Sequence, residues 1–410
     1  MKRFGNIFRL RGDKAIWAIC IILSCISLVF VYSSIGYMAI VKMHTTPTLA
    51  FAKHVVFVVM AYLVAAFVSN LNYQFFSRIS GILYVVAVGL LFFTLLSGGR
   101  WMRLPLLGSF QPSEIAKIIV IITTAKILTI NHDSDDPRKL YWWSIVPMSL
   151  VAAVILPENL STALLVFGTG LVMMYLGGVK KSYLIGTVGL LVVVGVLGLF
   201  AAYQIFHSEL AEYARHGILA RAETWSNRVD HWLHHDETLA TQENTALMAV
   251  ADGGLFRINI GGTIHARLMT QANNDFIFAI IIEEVGSLVG FTIFLLYTIL
   301  YYRCIMMAYR SGRRYGSLLI MGLSTSIYLQ AIVHMCVCVG VIPVTGQTLP
   351  LISTGGTAYL LTGFSIGLIQ SVINNAKTTP APVATESNDT STTTINTENQ
   401  TEPPDQTTTT

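Results

Sequence analysis

Apolar residues in this chain fall into long runs separated by short polar interruptions. Ten runs predict lipid-spanning helices: 15–36, 51–70, 78–96, 113–130, 141–157, 162–178, 183–206, 276–302, 316–340 and 355–374. A helix needs about 20 apolar residues to cross the hydrocarbon core, and the fifth and sixth runs are short by that measure. Arg, Lys, Gly and Pro mark the breaks. Between the seventh and eighth runs lies the only sizeable polar segment, 207–275. Within it Leu210, Tyr213, Ile218 and Leu219, then Trp225, Val229 and Trp232, recur at near-helical spacing among charges. That pattern predicts helices lying in the membrane interface. The stretch 342–357 is apolar yet full of Pro, Gly and Thr. Irregular backbone at membrane depth is tolerated only inside protein or along a cavity, so this stretch predicts a loop that dips back against the bundle.

The expected fold is an all-α integral membrane protein: ten transmembrane helices with a large extracytoplasmic loop between helices 7 and 8. Residues 1–14 form the N-terminus, 15–374 the membrane domain and 375–410 a tail rich in Thr, Asn, Pro and Glu. The tail has too few large apolar residues to fold, so it is expected to be disordered.

Composition agrees with that layout. Apolar residues make up 53% of the chain and charged residues only 12%. A soluble domain carries about 25% charged residues. The net charge of +4 comes from scattered basic residues, which argues against nucleic acid as a partner. Cys20, Cys25, Cys304, Cys336 and Cys338 lie in or beside apolar runs, with no spacing that suggests disulfides or a thiolate metal site. The run from Ala15 to Ser33 is longer than a signal-peptide core and lacks a small-x-small cleavage site, so it is read as a retained first helix.

Charge also orients the array. With the N-terminus inside, the cytoplasmic segments hold Lys2, Arg3, Arg9, Arg11, Lys14, Arg78, Arg138, Lys139, Lys180, Lys181, Arg303, Arg310, Arg313, Arg314 and Lys377. The short external loops hold only Lys42, Arg100 and Arg103. Cytoplasmic loops carry the excess of Lys and Arg, so 207–275 and the tail fall on opposite sides, the tail inside.

Charges inside spans are costly and mark candidate sites. Glu114 and Lys117 are three residues apart and share a helix face at the start of the fourth run, where Pro112 suits the first turn and Ser113 a cap. The pair either neutralises itself within the bundle or borders a polar cavity where Lys117 meets an anion. Arg100 and Trp101 are either interfacial anchors or a phosphate-holding group. Asp275 stands where the cap of the eighth helix belongs. Capping alone explains an acid there, and an external carboxylate able to accept a proton is the other reading. Glu283 and Glu284 would lie about 12 to 14 Å further along that helix, with at least one facing a polar interior. His231, His234, His235 and His265 come without a carboxylate-rich metal motif and read as surface histidines.

At these residues the chain resembles the SEDS family (shape, elongation, division and sporulation). The matching stretches are Val31-Tyr32-Ser33, Arg100-Trp101, Phe110-Gln111-Pro112-Ser113-Glu114-Ile115-Ala116-Lys117 and Pro157-Glu158-Asn159-Leu160-Ser161-Thr162-Ala163. They continue with Asp275-Phe276-Ile277-Phe278-Ala279, Glu283-Glu284, Pro343-Val344-Thr345-Gly346, Leu349-Pro350, Ser353 and Gly355-Gly356, in family order. Departures fall at Glu158, at Ser161, around Asn259–Thr263, at Met269–Asn274 and at His334.

The resemblance implies a peptidoglycan glycosyltransferase that polymerises lipid II, a disaccharide-pentapeptide on undecaprenyl pyrophosphate. It implies action at the outer face of the bacterial cytoplasmic membrane, beside a class B penicillin-binding protein and other division proteins. Asp275 would be the general base on the acceptor sugar hydroxyl, and the reaction would invert the anomeric centre to give a β-1,4 link. Arg100, Lys117 and Arg221 are candidates for holding the departing pyrophosphate. Trp101, Gln111, Glu114, Glu283, Glu284, Ser353, Gly355 and Gly356 complete the expected substrate site. No cofactor is demanded; a divalent cation, magnesium or manganese, would assist the leaving group, although no dedicated cage of ligands is visible. The Thr-rich tail and overall pattern favour a division (FtsW-like) role at the septum over an elongation (RodA-like) role. A lipid II flippase is the competing reading, motivated by Glu114, Lys117, Glu283 and Glu284, and a non-catalytic scaffold is the third.

Overall fold

The computed structural model describes residues 10–41, 46–97, 101–104, 108–133, 136–206, 228, 232 and 242–378. The Thr-rich tail, Arg100, Arg221, His231, His234, His235 and nearly all of the predicted interfacial helices lie outside them.

The first three helices are α1 (Lys14–Val41), α2 (Pro47–Ser69) and α3 (Tyr73–Ser97). Asp13 opens α1 by accepting the amides of Ala15 and Ile16 at 3.0 and 3.1 Å. Thr46 and Pro47 open α2, the threonine oxygen accepting from Leu49 N. A short antiparallel hairpin follows, β1 (Met102–Leu104) and β2 (Gly108–Phe110), with Met102 opposite Phe110. Then come α4 (Pro112–Ile130), α5 (Pro137–Ile155), α6 (Leu160–Leu176) and α7 (Lys181–Phe206). Asp136 caps α5 and Asn159 caps α6. Pro147 lies inside α5, and Tyr84 of α3 donates to its carbonyl at 2.9 Å.

The second half holds α8 (Gln242–Gly253), a 3-10 turn (His265–Arg267), the four-residue α9 (Ala272–Asp275) and α10 (Ile277–Val285). It ends with the long helices α11 (Ser287–Arg310), α12 (Arg314–Cys338) and α13 (Gly356–Thr378).

Seven of these helices, α1, α2, α3, α7, α11, α12 and α13, are long and apolar enough to cross a membrane. The chain is a membrane protein with a helical fold. The predicted runs at 113–130, 141–157 and 162–178 also form helices, α4, α5 and α6. Most of α4 and α12 is buried, so these two helices form the centre. Large apolar side chains such as Val85, Phe93, Leu190 and Phe291 face outward, the arrangement expected where lipid is the solvent.

Helices α2 and α13 meet along small residues. A Cβ at Gly363 would lie 2.5 Å from Ala61 O, and one at Gly367 would lie 2.8 Å from Ala65 O. Backbones this close need glycine, as in membrane helix pairs generally. At the start of α1, Arg303 of α11 bonds Asp13 at 2.9 Å. Gln370 of α13 accepts Asp13 N at 2.7 Å and donates to Asp13 O at 3.1 Å. Burial raises the Asp13 pKa, but the Arg303 contact and the two amides outweigh it and hold this carboxyl below its ordinary value.

One predicted span is corrected. The run 276–302 is not one helix: it breaks at Gly286, with φ +89, between α10 and α11. A Cβ there would sit 2.7 Å from Leu255 O and from Phe256 Cα, so the incoming loop occupies the space a side chain would need. The spanning helix therefore starts at Ser287, and Glu283 and Glu284 precede it.

Candidate active site on the Asp275 turn

A cavity of about 860 Å³ lies where the starts of α4, α6, α8 and α13 converge on α9 and the loop after α12. Each contributor arrives there for a local reason. Proline at the first turn starts α4, so Gln111 and Glu114 stand at its mouth. Asn159 caps α6 and also lines the cavity. Trp101, at the base of the hairpin, forms part of the rim. The loop after α12 supplies Val344 to Thr348, Thr354 and Gly355 to the lining.

Asp275 is the last residue of α9 and is half-buried beside the cavity. Its amide bonds Gln271 O at 2.9 Å, and its carbonyl accepts from Cys338 Sγ at 3.7 Å. Gly346, at φ +65, brings bare backbone close: a Cβ there would lie 3.7 Å from Asp275 Oδ2. The capping expectation for Asp275 is overturned. The flanking residue of α10 is Phe276, at φ −131, and no side chain caps that helix. Asp275 sits one residue too early for that role, and it lines the cavity. Ser113 also fails as a cap: Gln111 holds that position, and no side chain bonds the helix start.

Four charged groups line the cavity among the described residues: Asp275, Glu114, Glu243 and Arg228. Lys117 stands behind Glu114, donating to it at 2.8 Å and to Gln330 at 2.7 Å. Trp101, Gln111, Glu114, Gly355 and Gly356 line the cavity. Ser353 is buried behind it, where it donates to Asn274 O at 2.7 Å.

Glu283 and Glu284 do not line it, which corrects their placement in the substrate site. Glu283 accepts from Thr263 Oγ1 at 2.6 Å, Ile264 N at 2.8 Å and His265 Nδ1 at 3.0 Å. Glu284 accepts from Ser33 and from Gly261 N. Glu283 is thus bonded to the loop before α9, and Glu284 to that loop and to Ser33 of α1. Among the described residues no three His, Cys, Asp or Glu side chains come together as a metal-holding group. The acids among these residues do not form a cage for magnesium or manganese.

Sequence reasoning missed Arg228, Glu243, Gln271 and Gln347, all of which line the cavity. Gln347 lies within the irregular stretch already singled out. Arg228 and Glu243 lie in the long polar segment, where no periodicity distinguishes a cavity residue from a solvated one.

A family model described as "Cell cycle protein", covering FtsW, RodA and SpoVE, matches residues 13–378. The chain belongs to the FtsW/RodA/SpoVE family. Curated relatives agree with this membership over nearly their whole length. A "Probable peptidoglycan glycosyltransferase FtsW" of Geobacter sulfurreducens is 26% identical, over 90% of this chain and 97% of the relative. "Stage V sporulation protein E" of Bacillus subtilis is 28% identical, over 88% and 96%. Solved structures share the fold. A chain from a peptidoglycan synthase complex coordinating polymerization and crosslinking superposes with TM-score 0.68 at 22% identity, over 90% of this chain and 99% of that one. RodA of Thermus thermophilus gives TM-score 0.59 at 22% identity, over 89% and 98%. In this FtsW/RodA/SpoVE chain the family-matching residues around Asp275, Gln111 and Gly355 converge on one cavity.

Proposed function

We propose that the chain polymerises lipid II into β-1,4 glycan strands, with Asp275 as the general base. The observation that carries this reading is the Asp275 carboxylate: uninvolved in capping, beside glycine backbone, in a cavity large enough for sugar rings. The names of the curated relatives support the activity, and names of the FtsW type support a division role.

In the reaction, the acceptor 4-hydroxyl attacks the anomeric carbon of the donor sugar. Its proton passes to a carboxylate oxygen of Asp275 as the C–O bond to pyrophosphate breaks. Attack opposite the leaving group inverts the centre. The departing pyrophosphate gathers negative charge, which Arg228 at the cavity wall, and Lys117 once drawn from Glu114, are placed to offset. Arg100 and Arg221 are proposed for the same task on sequence grounds. The basic residues of the short loops orient this cavity outward, where a lipid-linked donor would be met. A class B penicillin-binding protein is the proposed partner, supported by the likeness to a chain from a synthase complex.

The test is reconstitution of the full chain in liposomes with that partner, followed by separation of the products on gels. Wild type is expected to convert lipid II to glycan strands, and Asp275→Ala to make none. Undiminished strands from Asp275→Ala would end the general-base assignment. Absence of strands from wild type would end the polymerase reading.

A further inference from the structure

The segment 344–352 forms no helix or strand, yet its carbonyls are met one after another by side chains from elsewhere. Val344 O accepts from Arg228 at 3.1 Å, Gln347 O from His334 Nδ1 at 2.8 Å and Thr348 O from Gln330 at 2.9 Å. Pro350 O accepts from Tyr297, Leu351 O from Tyr359 at 3.0 Å and Ile352 O from Ser27 at 2.6 Å. Four long helices, α1, α11, α12 and α13, thus hold one loop.

The second half of this series does more than satisfy buried oxygens. Leu351 sits at φ +63, the only non-glycine residue in the left-handed region among those described. Such a conformation persists only where its surroundings over-determine it, and it is a pointer to function. Directly after it, Ser353 donates to Asn274 O at 2.7 Å, and Thr354 N donates to Asn273 O at 3.1 Å. The strained residue is therefore the link between the hydroxyl clamps and the turn that carries Asp275.

Proton counting orients one clamp. Ser27 has a single hydroxyl proton, and Ile352 O receives it. The Ser27 oxygen lies 2.9 Å from His54 Nε2, so His54 must be the donor there, with its proton on Nε2. Behind Tyr359 stand Ser24 at 2.7 Å and then Tyr62, 2.8 Å from Ser24. Neither Ser27, His54 nor Tyr359 lines the cavity.

We propose that Tyr359, Ser27 and His54 are positioning residues for Asp275. They hold 350–352 in its strained path, so that Ser353 and Thr354 fix the backbone of Asn273 and Asn274 and thereby the aim of the carboxylate. The kinetic part rests on the reading of Asp275 as the general base.

The comparison that isolates positioning from mere support is Tyr84, whose hydroxyl meets Pro147 O at 2.9 Å away from the cavity. Full-length wild type, Tyr359→Phe, Ser27→Ala and Tyr84→Phe are assayed with the partner over a range of lipid II concentrations. Amide exchange over 271–276 is measured on the same samples without substrate. Tyr359→Phe and Ser27→Ala are expected to lower kcat about tenfold with KM held within about twofold, and to speed exchange at 271–276. Tyr84→Phe is expected to change neither, even with a comparable fall in melting temperature. His54→Gln, which keeps an N–H donor, is expected to retain more kcat than His54→Leu. Unchanged exchange in Tyr359→Phe and Ser27→Ala, or an equal kcat loss in Tyr84→Phe, overturns the proposal. The reverse order of the His54 variants removes His54 from it. A wild type that makes no glycan ends the polymerase reading instead, and the exchange result alone then decides whether these residues hold the turn.

Discussion

Asp275 and Glu283 lie eight residues apart, on either side of Phe276, and their carboxylates live in different worlds. Glu283 is 4% exposed and accepts from a threonine hydroxyl, a histidine ring and backbone amides. Asp275 is half-buried at the edge of a cavity of about 860 Å³, with glycine backbone beside it. An acid saturated with donors is fixed as a charge and is a poor proton acceptor. One that lines an open, partly polar cavity stands where a substrate can meet it. The same short stretch thus separates a carboxylate that holds the loop from one that lines the cavity, and the break in helix between them makes this possible.

The largest expected effect tests that separation directly. Asp275→Asn should cut polymerisation by about 10²- to 10⁴-fold, the range for losing a general base, with melting temperature unchanged or raised. Glu283→Gln should do the reverse: about 1–3 kcal/mol of lost stability from disturbed buried bonds, and near-normal kcat per folded molecule. A Glu283→Gln protein that melts normally but makes no glycan would break the comparison.

Lys117 sharpens it. Lys117→Met strands the Glu114 carboxylate and should cost about 3 kcal/mol, seen as a lower melting temperature. Adding Glu114→Gln should restore melting. If polymerisation returns with it, Lys117 serves the fold alone; if not, its charge is needed at the cavity.

Gly286→Ala asks whether the helix break is required. A side chain at φ +89, against Leu255 O, should cost about 1–3 kcal/mol and loosen the Glu283 cluster first, which amide exchange across 259–265 would detect.

The smallest effect lies at the opposite face. The Asp13 pKa is held below its ordinary value, so its contribution is present above the unfolded carboxylate pKa and is lost as pH falls through the folded one. Arg303 is 38% exposed, so that contribution is about 1 kcal/mol or less. The melting difference between wild type and Asp13→Asn should be steady near pH 7 and close as the buffer is taken below pH 4.

Much of this was legible in the sequence. Hydrophobic runs and basic residues marked where the helices lie, because lipid imposes a length and a charge bias that single segments cannot evade. Pro and Gly in 342–357 announced an irregular loop for the same reason. The break at Gly286 was hidden, since its cause is the approach of Leu255 and Phe256 from a distant segment. That hidden break displaced Glu283 and Glu284 from their expected depth, and the short turn ahead of Phe276 took Asp275 out of its capping role. Arg228 and Glu243 reach the cavity through tertiary folding of the long polar segment, which local pattern does not encode.

The bonds joining Asp13 to Arg303 and Gln370 reach further than the helix ends they occupy. Residue 13 leaves the ribosome hundreds of residues before its partners do. The first helix must therefore form with this acid answered only by the amides of its own first turn, and only arrival of α13 completes the ring. A chain cut short before Gln370 would leave the Asp13 backbone without the side-chain amide that meets both its N–H and its carbonyl.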